Sequence, residues 1–243
     1  MSVEKTLDIL DLFDFKTREL TVQEIGIRLE QPQSSVYRHL KVLKDRGFIT
    51  ETNKGAYRLG YRFLEMAKIV KSDINLSSVA FPIMQELCKK LNETVILTIV
   101  SGLNVICLEV ITPDQPIKVS STQGKILPLH AGASSRILLA HLDDKIIHEL
   151  DKKNMLEKYS DYTVTDVEGL LALKKEVLEK GYAVSDSEVD IDVYAFGVAI
   201  KDIDKKLVAG LSIAGPKNRL IAMDEGYIIN SIFEARDKIQ AFL

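Results

Sequence analysis

Apolar positions first recur at helical spacing near the start of the chain, where Val3, Leu7 and Leu10, with Ile9 or Phe13 beside them, mark an amphipathic helix. Thr21-Val22-Gln23-Glu24 has the Ser/Thr-x-x-Glu form of a capping box, so a second helix is expected from Val22, with Ile25 and Leu29 on its inner face. That helix must stop near Gln31-Pro32, because proline disfavours helical geometry in the residue before it. A third helix is expected over Gln33 to Arg46, burying a stripe of Val36, Leu40 and Leu43, with Gly47 at its C′ position. Phe48-Ile49-Thr50 and Ala56-Tyr57-Arg58-Leu59 read as short strands about the turn Asn53-Lys54-Gly55. A helix-turn-helix followed by a β wing results.

Gly60 opens another helical pattern to about Lys71, with Phe63, Leu64, Ala67 and Val70 apolar and Arg62, Glu65, Lys68 and Lys71 polar. Beyond Asp73 the pattern is mixed. A helix through Leu76, Val79, Ala80, Ile83 and Leu87 precedes strands at Thr94 to Val100, Val105 to Val110 and Ile117 to Ser120. Helices are expected at Ala133 to His141, Asp143 to Leu150 and Leu170 to Lys180, the last stopped by Gly181. Strands at Ala195 to Asp202 and Leu207 to Ile213 come before a final helix from Met223 to Leu243. The expected fold class is α+β: a winged helix-turn-helix over 1–59, a linker helix over 60–72, and over 73–243 a domain of helices packed on a curved antiparallel sheet.

Charge sharpens this division. Residues 1–71 hold 13 Lys and Arg against 10 Asp and Glu, while the whole 243-residue chain has a net charge of −3. The segment Gln31 to Arg62 is more basic still, with Arg38, Lys41, Lys44, Arg46, Lys54, Arg58 and Arg62 against only Asp45 and Glu51. A solvated charged face would not need that local reversal of sign, whereas a phosphate-facing surface does. Gln33, Ser34, Ser35, Tyr37, Arg38 and Lys41 lie outside the buried stripe of the third helix, mostly in its first two turns, the end that a recognition helix presents to base edges. With Thr21 at the preceding helix start and Lys54 and Arg58 on the wing, they form the expected contact set for double-stranded DNA. One recognition helix per chain predicts a homodimer on a palindromic operator.

Cys88 and Cys107 sit in apolar contexts without paired spacing and read as buried small hydrophobes. Glu4 and Asp8 fall within the first turns, and no apolar run approaches the roughly 18 residues of a membrane span, so a cytoplasmic protein without a membrane partner is expected. Glycine-rich phosphate loops and Cys/His clusters are missing from the pattern, and no cofactor or metal is expected. Of the four histidines, His39 falls on the third helix and His141 and His148 on surface-like helix positions; His130 stands between a strand and a helix. The run from Gly124 to Arg136 enters that helix through Ala131-Gly132-Ala133-Ser134-Ser135, whose free amides and hydroxyls suit either a small anion such as a carboxylate or ordinary capping with tight packing.

The whole chain resembles the IclR family of transcriptional regulators. The resemblance is carried by Leu20 to Ile25, Gln31-Pro32-Gln33-Ser34-Ser35-Val36-Tyr37-Arg38-His39-Leu40, Gly55 to Gly60, Glu93-Thr94-Val95, Leu127-Pro128-Leu129-His130-Ala131, Lys180 to Val184 and Leu211-Ser212-Ile213-Ala214-Gly215-Pro216. It implies a GAF-like second domain that binds a small organic effector, often a carboxylate or aromatic acid, and a non-enzymatic regulator, a homodimer or homotetramer, whose DNA affinity that effector modulates. The implied pocket is closed by Leu127, His130, Ala131, Gly132, Ala133 and Ser134 and faced by Ser185, Val193, Ala195, Ser212 and Ala214. The chain departs from the family at Ser185-Asp186-Ser187-Glu188 and Asp192, where an acidic run and a glycine are common, and at Ser134-Ser135-Arg136, where small-Gly-Lys is usual. It also has Ala199 in place of a usual proline. An altered lining leaves two other readings open: a constitutive DNA-binding protein whose second domain only oligomerises, and an enzyme with a DNA-binding head using His130, Ser134 or Asp186.

Overall fold

The structure is a computed structural model describing residues 3–14, 16–73 and 75–243, the side chains of Lys68, 70–73 and 75 excepted. The expectations for Val70, Lys68 and Lys71 therefore lie outside the described side chains. The chain divides into two compact units, Met1–Ile74 and Asn75–Leu243.

In the first unit, α1 (Val3–Asp11), α2 (Val22–Arg28) and α3 (Gln33–Asp45) precede a hairpin of β1 (Ile49–Glu51) and β2 (Tyr57–Leu59), and α4 (Arg62–Asp73) follows. The capping box at Thr21 is formed in both directions. Ile9, Leu20, Val22, Ile25, Val36, Leu40, Leu43, Ile49 and Tyr57 make one core, and Leu20 bridges to Tyr57 as a short third rung on the hairpin. Val3 and Leu7, expected on the inner stripe of α1, are exposed; Ile9 is the residue of α1 buried in this core. The helix spacing was right, but the face was set one position round, because residues 7, 9 and 10 are all apolar and spacing alone does not choose among them.

The second unit is built on a six-stranded antiparallel sheet of order β5-β4-β3-β8-β7-β6, with β3 (Thr94–Ser101), β4 (Asn104–Ile111), β5 (Ile126–Pro128), β6 (Ala183–Asp186), β7 (Val193–Lys201) and β8 (Leu207–Pro216). Helices α5 (Asn75–Leu91) and α10 (Glu225–Gln240) pack on each other and on the sheet. On the cavity side lies α6 (Ala133–Ala140), backed by α7 (Lys145–Lys152) and α8 (Val167–Lys180). The final helix expected from Met223 is α10, capped by Asp224 through the Tyr227 amide, and a short α9 (Lys217–Ala222) that was not expected precedes it.

Strand alternation sorts the sheet into two faces. Val95, Leu97, Leu211, Ile213, Phe196 and Val198 are paired in register on one. The other face carries small residues in rows: Thr94, Ala214, Ala195 and Ser185 in one, and Ile96, Ser212, Gly197 and Ala183 in the next. These rows let α6 come close. A Cβ on Gly197 would lie 2.6 Å from the Ala133 carbonyl, and one on Gly210 would lie 3.2 Å from the Ser134 carbonyl.

Ile117 to Ser120, expected as a strand, is irregular. Its carbonyls bond to side chains instead of a ladder: Thr94 Oγ1 donates to the Val119 oxygen at 2.7 Å and Arg219 Nη1 to the Ile117 oxygen at 2.8 Å. The edge strands β5 and β6, too short to show a clear alternation, were not anticipated.

Candidate functional sites in the two units

Helix α3 presents Gln33, Ser34, Tyr37, Arg38 and Lys41 to solvent, with Ser35 half-buried. The opposite face holds Val36, His39, Leu40 and Leu43. His39 is tied to α1 by a 2.8 Å hydrogen bond between its Nδ1 and Thr6 Oγ1, and burial lowers its pKa, so it belongs to the scaffold behind the exposed face. Thr21 accepts from the Glu24 amide at 3.3 Å and donates its own hydroxyl to the Glu24 carboxylate at 2.8 Å, so its side chain is engaged in the cap. Lys54 is exposed at the hairpin tip, and Arg58 is exposed on β2, donating from Nε to Thr50 Oγ1 at 3.3 Å. Lys44 pairs with Glu51 and Arg62 with Glu65. Among the described residues Arg38, Lys41, Arg46, Lys54 and Arg58 have no carboxylate partner, so the basic excess survives folding.

In the second unit a cavity of about 650 Å³, counting the part open to solvent, lies between the small-residue rows and the start of α6. Leu127, Ala131, Gly132, Ala133, Ser134, Ser185, Val193, Ala195 and Ala214, all implied by the resemblance, line it together. Two residues of that set do not. Ser212 is wholly buried beneath α6, where its hydroxyl meets Ser134 Oγ at 2.6 Å and pins the helix to β8. His130 turns away: its Nε2 donates to the Glu157 carbonyl at 2.9 Å, its ring lies against Tyr159, and burial lowers its pKa.

Two walls were missed. Val119, Ser120 and Ser121 come from the irregular segment; Ser121 Oγ lies 3.3 Å from the buried Cys107 Sγ, and the neighbouring Gln123 Nε2 donates to the Leu108 carbonyl at 2.7 Å. Glu188, Val189 and Asp190 come from the turn after β6, with Lys125 just before β5 and Pro128 at its end. Irregular walls leave no periodicity to read; only the departures at 185–192 pointed to one of them.

The second wall is held firmly. Thr163 Oγ1 donates to the Glu188 carbonyl at 2.5 Å, and Asp192 stands at φ +61°, the left-handed region where a glycine would rest at ease. The Glu188 side chain is buried; its Oε2 accepts from the Gly132 amide at 3.0 Å and its Oε1 pairs with the Arg136 guanidinium. Arg136 also donates to the Val184 carbonyl at 2.8 Å. Gly132 caps α6 at φ 87° and ψ 148°, a conformation essentially restricted to glycine. The groups an enzymatic reading would use are committed elsewhere: Ser134 to Ser212, His130 to Glu157, and Asp186 to Lys217 at 2.7 Å.

Comparison with known proteins agrees with this geometry. The family model described as the IclR helix-turn-helix domain matches residues 2–52, and that described as the bacterial transcriptional regulator IclR C-terminal matches residues 68–241. The chain is 32% identical over 96% of its length to the HTH-type transcriptional regulator KipR of Bacillus subtilis, covering 93% of that protein. It is 27% identical to the HTH-type regulator XynR of Escherichia coli over 90% of its length and 87% of XynR. Among solved structures, the Thermotoga maritima IclR is similar with a TM-score of 0.74 at 25% identity, covering 99% of this chain and 98% of that one. An IclR homologue from Microbacterium hydrocarbonoxydans complexed with 4-hydroxybenzoate has a TM-score of 0.84 at 24% identity, covering 98% and 96%. With both domains matched in order along the whole chain, the protein belongs to the IclR family of transcriptional regulators.

Proposed function

We propose that this regulator reads operator DNA through the exposed face of α3, with Gln33, Ser34, Ser35, Tyr37 and Arg38 toward the major groove and Lys41, Lys54 and Arg58 toward phosphates. A small organic molecule held in the cavity beneath α6 modulates its DNA affinity. The observation that carries the reading is the pairing of an unneutralised basic face in the first unit with a preformed, largely apolar cavity in the second. Thr21 contributes by fixing the start of α2. A homodimer on a two-fold-symmetric site follows from one recognition helix per chain, and the family resemblance adds a homotetramer made of two dimers.

The homologue complexed with 4-hydroxybenzoate makes small organic acids the first class to test. Effector control requires only a difference in affinity between two arrangements of the protein; about 1–3 kcal/mol of coupling gives a 5- to 150-fold switch. The experiment is operator binding by fluorescence anisotropy at fixed salt, with and without each small molecule that raises the melting temperature. Filling the cavity by Val193→Trp should leave DNA binding unchanged and remove the response. A response that persists in Val193→Trp sinks the assignment of the cavity.

A further inference from the structure

Glu93 and Thr94, at the entry to β3, are wholly buried, and neither lines the cavity. Their side chains nevertheless end on the same stretch of chain. Thr94 Oγ1 donates to the Val119 carbonyl at 2.7 Å. Glu93 holds Arg219 by two hydrogen bonds of 2.7 Å, and Arg219 Nη1 donates to the Ile117 carbonyl at 2.8 Å. Two neighbours in sequence thus reach carbonyls two residues apart in an irregular segment, one directly and one through a guanidinium.

That segment has little else to hold it. Residues 117–121 make no backbone–backbone hydrogen bond among the described residues. Beyond the two clamps, Lys118 Nζ donates to the Pro113 carbonyl at 2.9 Å within the same connection, and Ser121 Oγ meets Cys107 Sγ at 3.3 Å. Yet Val119, Ser120 and Ser121 form one wall of the cavity. A wall without a ladder is ordered only as far as side chains order it, and a ligand that must order its own wall loses that conformational entropy from its affinity.

We infer that Glu93 and Thr94 are positioning residues for the effector: they touch no ligand, and they set its affinity by holding the 117–121 wall in place before it binds. The inference rests on reading the cavity as an effector site. Sheet register places the clamp where it would matter. Thr94 pairs with Ala214, and Ile96 follows two residues on along the same face of β3; Ala214 and Ile96 both line the cavity. Thr94 therefore stands where the floor meets this wall, and its bond to Val119 fixes the distance between them. The ion pair is explained in the same way. A buried pair seldom adds net stability over apolar packing of the same volume, so the worth of Glu93 and Arg219 lies in the segment they fix.

The test separates positioning from stability. Benzoate, butyrate and glutarate are titrated into the full chain by ligand-observed NMR, and the acid that binds wild type but not Val193→Trp serves as the probe. Thr94→Val keeps the shape and removes the donor, Thr94→Ser keeps the donor, and Arg219→Lys keeps a positive charge for Glu93 but loses the two-pronged geometry. Ile239→Val is the control: it trims a buried side chain of α10, a helix that does not line the cavity, and lowers the melting temperature by packing alone. The expected result is that Thr94→Val and Arg219→Lys bind the probe at least about fivefold more weakly, while Thr94→Ser and Ile239→Val stay within about twofold of wild type. Wild-type affinity in Thr94→Val overturns the inference and keeps the cavity as a site. An equal loss in Ile239→Val also overturns it, because affinity would then follow general stability. If no acid binds in a way that Val193→Trp removes, the reading of the cavity falls and takes the inference with it. Should Thr94→Val not fold, Arg219→Lys against Ile239→Val makes the same comparison.

Discussion

Glu93 and Arg219, 126 residues apart, meet in a two-pronged ion pair with both N–O distances at 2.7 Å, the carboxylate wholly buried and the guanidinium reaching on to the Ile117 carbonyl. The pair thereby ties the end of α5 to α9 and anchors the irregular segment that becomes one wall of the cavity. Gly215 makes room for it, since a Cβ there would stand 2.4 Å from a Glu93 oxygen.

Removing Arg219 strands a buried carboxylate, a loss of about 3–5 kcal/mol for fully buried pairs and about 2–3 here because Arg219 is partly exposed. Arg219→Ala should lower stability by that amount in urea denaturation. Glu93→Gln, which keeps one hydrogen bond and removes the charge, should cost less than Arg219→Ala. An unchanged midpoint for Arg219→Ala would mean the pair does not hold this wall.

Binding to DNA separates base readers from phosphate anchors. Arg38→Ala should weaken operator affinity by about 1–3 kcal/mol and relax preference at one base position. Lys54→Ala should weaken all sequences alike and reduce the salt slope of binding by about one. Anisotropy titrations on the operator and on a scrambled duplex at several salt concentrations distinguish the two patterns, and equal behaviour of both variants would undo the assignment of roles.

Much of this was legible before any coordinates. The capping box at Thr21 and Glu24, the stripe Val36, Leu40 and Leu43, and the basic excess around them are local signals, and each is realised as written. The small residues Ala195, Ser185 and Ala214 could be assigned to a pocket only through the resemblance, because what brings them together is sheet register between strands far apart in sequence. Glu188 was visible only as a departure from the family pattern. Its meeting with Gly132 and Arg136 spans about fifty residues and leaves no trace in spacing. His130 and Ser212 show the converse: the right neighbourhood in sequence, but side chains directed into packing by partners, Glu157 and Ser134, that no pattern announces.

Backbone conformation at the start of α6 yields a further test. Gly132 holds φ 87° and ψ 148° while donating to Glu188, and a Cβ there would also touch Val189 at 3.5 Å. The contact is tolerable and the dihedral angles are not. Gly132→Ala should therefore cost about 1–3 kcal/mol, from strain in a region other residues avoid. Asp192→Gly, at φ +61° in the opposite wall, should stabilise or be neutral. Thermal melts of the two single variants check the opposite signs.

Histidine burial sets the response to acid. His141, expected on a surface, caps α6 half-buried, and burial, reinforced by Lys201 and Lys174, lowers its pKa to about 4. His39 and His130 are lowered too, each chiefly by burial. A histidine whose folded pKa lies below its unfolded value of about 6.5 binds its proton more readily in the unfolded chain, so stability is fully present above that pH and falls as the solution is acidified toward the folded pKa. For His141 the window runs from about pH 6.5 down to about 4, and the loss across it is at most about 3 kcal/mol, less to the extent that its ring remains solvated. His141→Gln should flatten the fall in urea-unfolding free energy between pH 6.5 and 4.5, while leaving the value at pH 8 within about 1 kcal/mol of wild type. A pH profile that keeps its full slope in His141→Gln would assign the acid sensitivity to His39, His130 or the carboxylates instead.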